Sequence, residues 1–152
     1  MNNYEILPYV GVGLLKFGMS QLEAERVLGK PSLSQYDEDA GLVTDYWNDN
    51  GLQLFFERGA DRLVLISLYS NIDNIGIGSV CIDWDKTKEV YKALLSDDFS
   101  AKQTVGITIF FKYGLSVAGF LSENNGDKSL TVFAKGQWDP DDPLLRPVKI
   151  GP

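Results

Sequence analysis

The chain has 152 residues, 44% of them apolar, which is enough for one domain with a proper core and places it among globular proteins, not disordered ones. Its net charge of −7 disfavours direct binding to nucleic acid or anionic membrane and favours a basic partner. It has no histidine and a single cysteine, so Ser-His-Asp and Cys-His sites and internal disulfides are all excluded.

No apolar run approaches the length of a membrane span, and the stretch Met1-Asn2-Asn3-Tyr4-Glu5 carries no basic leader followed by an apolar segment. With one cysteine, the expectation is a cytoplasmic protein.

From Ile6 to Met19 the sequence reads as a short extended, turn-rich entrance. Ser20 then supplies an N-cap, with Glu23 completing a capping box, and Gly29-Lys30-Pro31 supplies a stop. This predicts a helix over Gln21 to Leu28. Strand signals follow at Val43 to Trp47, Gly51 to Glu57 and Leu63 to Tyr69, with turn-rich connections short enough for an antiparallel meander.

The pattern then restarts. Gly76-Ile77-Gly78 lies 65 residues after Gly11-Val12-Gly13, and Asp85 falls where Ser20 fell, as the expected N-cap of a helix from Lys86 to Leu95. Further strand signals run through Val105 to Tyr113, Leu115 to Leu121 and Ser129 to Ala134. The expectation is an α+β fold: one domain over 1–135, made of two helix-plus-antiparallel-strand repeats (about 6–70 and 71–135). Their strands form a curved antiparallel sheet with the helices on one face. Residues 136–152, with four prolines, form an extended tail.

Several stretches invite a chemical reading. The two Gly-x-Gly pairs do not continue as G-x-G-x-x-G and are read as turns. The acidic clusters Asp37-Glu38-Asp39, Asp83/Asp85, Asp97-Asp98 and Asp139/Asp141/Asp142 lack the ligand spacing of a calcium loop and are read as solvated loops and caps. Cys81, inside Ser79-Val80-Cys81-Ile82, is expected to be a small buried hydrophobe. No cofactor, metal or catalytic set is predicted.

The aromatic residues are more informative. Strand parity puts Leu52, Leu54 and Phe56 on one face and Gln53, Phe55 and Glu57 on the other. The echo between "GLQLFFERG" (51–59) and "GITIFFKYG" (106–114) extends that parity: Ile107, Ile109 and Phe111 to the core, Thr108, Phe110 and Lys112 to the opposite face. By the same count Leu63, Leu65 and Tyr69 share a face, as do Asp45 and Trp47. A sheet covered by helices on one side then shows a wet face carrying aromatic residues, open for recognition or covered by the tail or a partner subunit.

The string Gly11 to Pro31, "GVGLLKFGMSQLEAERVLGKP", followed by a meander and a second helix with strands, resembles β-lactamase-inhibitor-protein-like and SmpA/OmlA-type tandem modules. It is also similar to segments of small bacterial immunity proteins encoded beside toxins. The resemblance implies a curved antiparallel sheet that grips another protein. The chain departs from the secreted inhibitor in lacking paired cysteines and from the lipoproteins in lacking a lipidation signal. The expected function is that of a non-enzymatic bacterial immunity protein, neutralising a basic toxin such as a nuclease by occluding its active site. Asp37, Glu38, Asp39, Asp45, Asp49 and Glu57 would steer the partner. Trp47, Phe55, Tyr69 and Phe110 would anchor it. The alternatives are an assembly module that homodimerises through the open face, and a carboxylate-dependent enzyme or small-ligand carrier.

Overall fold

The computed structural model describes residues 4–148. Residues 1–3 of the expected domain and 149–152 of the expected tail lie outside the described residues. In chain order the elements are β1 (Tyr4–Leu7), β2 (Gly11–Val12), β3 (Leu15–Lys16), α1 (Gln21–Leu28), β4 (Leu33–Asp37), β5 (Leu42–Trp47), β6 (Leu52–Glu57) and β7 (Arg62–Tyr69). After these come β8 (Ile75–Ile77), β9 (Val80–Cys81), α2 (Thr87–Asp97), β10 (Lys102–Thr104), β11 (Ile107–Phe110), β12 (Leu115–Ala118), β13 (Ser129–Phe133) and β14 (Arg146–Pro147).

Among the described residues the fold is mixed α and β, with two α-helices and mostly antiparallel sheets. The larger sheet has nine strands in the order β14-β10-β11-β12-β13-β7-β6-β5-β4, every neighbouring pair antiparallel. The smaller sheet, β3-β2-β1-β8-β9, contains one parallel pair, β1 with β8. The turn-rich entrance is therefore itself sheet. Both Gly-x-Gly stretches form the first arm and turn of short hairpins, with Gly13 and Gly78 at φ 57 and 58. Positive φ at the first residue of a two-residue loop matches the twist of the strands it joins.

α1 begins where its capping box predicts: Ser20 Oγ accepts from Glu23 N at 3.1 Å, and Glu23 Oε1 accepts from Ser20 N at 3.1 Å. α2 starts differently. Asp85 is not its cap; Lys86 is the N-cap and makes no side-chain capping bond. Asp83 instead accepts from Asp85 N, and Thr87 Oγ1 donates to the Phe120 carbonyl at 2.7 Å.

One core lies between the helices with the small sheet and one face of the large sheet. It joins Ala24 of α1 and Val90, Leu94 and Leu95 of α2 to Leu52, Leu54, Phe56, Ile66, Leu68, Leu115, Val117, Leu130 and Val132 of the large sheet. Burying these apolar side chains is the main force holding the layers together. A second, smaller cluster lies on the opposite face, where Leu145 and Trp138 of the tail cover Ile109, Phe133 and Ile107. The tail is thus docked to the second half of the sheet, and β14 pairs with β10.

Cys81 is exposed, not buried, because it lies on the two-residue edge strand β9. The acidic clusters organise turns. Asp37 Oδ1 accepts from Asp39 N and Ala40 N, Asp139 Oδ1 from Asp141 N, and Asp142 Oδ1 from Leu144 N. Short acids favour such local bonds because their carboxylates reach the backbone two or three residues on.

Candidate functional site on the sheet face

Strand registers decide which side chains share the face opposite the helices. β5 pairs with β6 through Thr44↔Phe55 and Tyr46↔Gln53, and β6 with β7 through Gln53↔Ser67 and Phe55↔Leu65. Residues directly opposite one another lie on the same side of a sheet. Phe55, Gln53 and Glu57 therefore share the helix-free face with Tyr46, Thr44, Ser67 and Tyr69. β4 adds Leu33, Gln35 and Asp37 through its pairing with Tyr46, Thr44 and Leu42.

This half of the face is polar with aromatic inserts. Tyr46 Oη donates to Gln35 Oε1 at 2.8 Å, and the Ser67 and Thr131 hydroxyls bond at 2.8 Å across β7 and β13. Tyr69 is half-buried; burial first, and then the neighbouring Tyr46 phenol, push its hydroxyl above the ordinary 10.0. Leu63 does not share this face with Leu65 and Tyr69. The register shifts between Phe55 and Phe56, which turns Leu63 into the main core and leaves Leu65 with the second cluster.

The ten residues expected to bind a partner do not form one surface. Phe55 and Tyr69 lie half-buried on the helix-free face, Glu57 stands beside them, and Asp37, Glu38, Asp39 and Asp49 are exposed at the strand ends. Glu57 is bound by Arg62 at 3.0 Å.

Three residues are corrected. Trp47 is 6% exposed and belongs to the main core, its Nε1 donating to the Gly29 carbonyl at 3.0 Å. Asp45, 1% exposed, shares that side and accepts from Ser34 Oγ at 2.6 Å and Gln21 Nε2 at 3.1 Å. It fastens α1 and β4 to β5. Phe110 is fully buried on the helix side, edge-on to Tyr91 of α2 with ring centroids 6.0 Å apart. Phe111 is the member of that pair turned the other way, edge-on to Phe133 in the second cluster.

The reason for the inversion is topological. The "GLQLFFERG" stretch is the third strand after α1, whereas "GITIFFKYG" holds the second strand after α2. The echo equates strands at different places in the sheet. Sequence reasoning also missed Tyr46, Gln35 and Ser67. Tyr46 alternates with Asp45 and Trp47, so strand parity alone could have placed it on the opposite face.

Elsewhere, a groove of about 690 Å³ runs between the tail and the 8–10 loop, lined by Tyr9, Phe111, Lys135, Trp138, Asp139 and Pro140. At the C-terminal end of α2, Asp97 is held below the usual carboxylate range, chiefly by the Tyr113 hydroxyl and then by Lys112. That direction is opposite to the one a general acid requires. Among the described residues no helix is long and apolar enough to cross a membrane.

No family model, curated protein or solved structure matches the chain. The resemblance carried by residues 11–31 therefore stands on the sequence alone.

Proposed function

We propose that this chain is a bacterial, cytoplasmic immunity protein that binds a cognate basic toxin, such as a nuclease, and neutralises it by covering its active site. It acts by binding and not by catalysis. The observation that carries this reading is the contrast between the two halves of the helix-free face. The tail residues Leu145 and Trp138 pack over the second half in a cluster that reaches β7 at Leu65 and includes no residue of β4, β5 or β6, and beyond it Phe55, Tyr46 and Tyr69 stand among polar groups. Asp37, Glu38, Asp39, Asp49 and Glu57 border that half. Aromatic anchors within a polar, charged rim suit a protein partner of opposite charge.

The same reading takes the chain as two copies of one unit. In its support, residues 11–16 and 76–81 form hairpins of matching register, and each helix is followed by a run of four large-sheet strands, β4 to β7 and β10 to β13, the tail strand β14 coming after the second run. The last strand of each set, β7 and β13, pairs at the middle of the sheet.

The test is co-expression with the product of the adjacent reading frame, followed by titration of the purified pair. The expected result is a complex that suppresses the partner's toxicity and weakens about 100-fold in the Tyr46→Ala/Phe55→Ala double variant, as for two interface anchors. Unchanged binding by that variant would refute the sheet-face site, and a concentration-dependent dimer of the chain alone would favour the assembly module.

A further inference from the structure

The two ends of the nine-stranded sheet are finished differently. At one end β14 is two residues long and includes Pro147, a residue that cannot donate to a further strand. At the other end β4 runs five residues, Leu33-Ser34-Gln35-Tyr36-Asp37, with no proline and every residue exposed. Open edges of this kind are usually shortened, covered or interrupted.

The hydrogen-bond phase of β4 follows from its neighbours. Arg58 N donates to the Gly41 carbonyl at 3.0 Å, which fixes Val43, Asp45 and Trp47 as the β5 residues bonded to β6. Alternation then turns Leu42, Thr44 and Tyr46 towards β4, where they meet Asp37, Gln35 and Leu33. Ser34 and Tyr36 are left with their N–H and C=O groups directed away from the sheet, with no strand beyond them among the described residues. Their side chains are engaged elsewhere: Ser34 Oγ on Asp45, and the Tyr36 ring beneath the Arg58 guanidinium at 4.0 Å. The backbone is thus held extended from within.

Charge selects the occupant. Asp37, Glu38 and Asp39 stand at one end of β4 and Asp49 in the turn at the other. A second copy of the chain would bring another −7 to this edge, and a five-residue strand pair alone is smaller than the interfaces of stable dimers. We infer that β4 accepts an extended basic segment of the toxin as a tenth strand, bonded through the Ser34 and Tyr36 peptide groups. Its lysine or arginine side chains face Asp37 and the neighbouring acids. This rests on the reading of the chain as a binder of a basic protein, and it names the mode of capture.

The test uses the full-length 15N-labelled protein and a capped peptide of alternating lysine and valine as the probe. Binding is expected to shift the Ser34 and Tyr36 amide resonances, slow their exchange with solvent, and weaken with salt. Tyr36→Pro, which removes an outward N–H that β5 does not use, should weaken binding about tenfold, whereas Tyr36→Ala, which keeps it, should stay within about threefold of the parent. A peptide N-methylated on the amides facing β4 should lose about tenfold against the unaltered protein, so the inference remains testable if Tyr36→Pro does not fold. Wild-type affinity for the N-methylated peptide would overturn it. So would shifts confined to Phe55 and its neighbours, or Ser34 and Tyr36 amides already protected by self-association. Failure with the peptide while the toxin still binds strikes the edge mode alone. Failure to bind the toxin while the peptide still pairs strikes the immunity reading alone.

Discussion

Truncating three phenylalanines in turn tests which face each occupies. Phe110 is 0% exposed and wedged between the sheet and α2, with Tyr91 edge-on at 6.0 Å. Phe110→Ala removes a complete buried ring and leaves a cavity, which costs about 3–5 kcal/mol. Of this, about 1 kcal/mol belongs to the ring pair with Tyr91. Phe55, half-buried on a solvent-facing surface, should cost about 1–2 kcal/mol on truncation, in proportion to the smaller area it hides. Phe111, edge-on to Phe133 at 6.4 Å and partly covered, should fall between them. Urea unfolding followed by tryptophan fluorescence reads the order directly. With a denaturant slope of about 2 kcal/mol per molar, the Phe110→Ala midpoint should drop by about 2 M and that of Phe55→Ala by less than 1 M. A domain with about 5–15 kcal/mol of stability has room to show both. If Phe55→Ala proved the costlier change, or if Phe110→Ala were nearly silent, the placement of Phe110 on the helix side and Phe55 on the opposite face would be wrong.

Other outcomes follow from the same geometry. Asp45→Ala should destabilise by about 2–3 kcal/mol in thermal or chemical unfolding, because Ser34 and Gln21 lose a buried acceptor. Gly119→Ala should be strongly destabilising, since a Cβ there would lie 2.0 Å from the Asp127 carbonyl oxygen, and circular dichroism at raised temperature would show it. The Tyr113 hydroxyl is pushed up to about 12 by burial and by its bond to Asp97. Its folded value lies above the ordinary 10.0, so the stability it contributes is complete below pH 10 and is lost as pH rises towards about 12. Tyr113→Phe should therefore flatten the alkaline decline of stability, with the rest of the slope left to Tyr9 and Tyr69, which are raised in the same sense.

Parts of this architecture could be read from the chain because the signal was local. The α1 boundaries follow from Ser20, Glu23 and Gly29, whose bonds are made within one or two turns. The face of β6 follows from Leu52, Leu54 and Phe56 alternating with Gln53 and Glu57. What escaped depends on distant partners. β4 has no apolar alternation because it is exposed on an edge, and its strand state comes from pairing with β5. The direction of Phe110 cannot be read from "ITIFF", where both parities are apolar at the end; it is set by α2 on one side and the tail on the other. Asp45 and Trp47 look like surface candidates in sequence, yet Gln21, Ser34 and the Gly29 carbonyl supply the bonds that let them be buried. The acidic rim was legible as charge, whereas the unprotected edge beside it was not.

The join between β7 and β13 has a consequence for how the molecule is made. Among the described residues it is the only pairing within the large sheet that links the strands before residue 70 to those after residue 100, and Ser67 and Thr131 meet there across 64 positions of chain. The meander β4 to β7 can assemble from neighbours as it leaves the ribosome, but it does so with β7 as a second bare edge. That edge stays open until β13, whose Thr131 lies 64 positions beyond Ser67, has been synthesised. Closure of so long a loop is slow relative to local hairpins. A chain truncated before Ser129 would leave β7 and β12 bare where β13 sits and β10 bare where β14 sits, besides the edge of β4, and aggregation of such fragments during expression would be a sign that this late strand completes the fold.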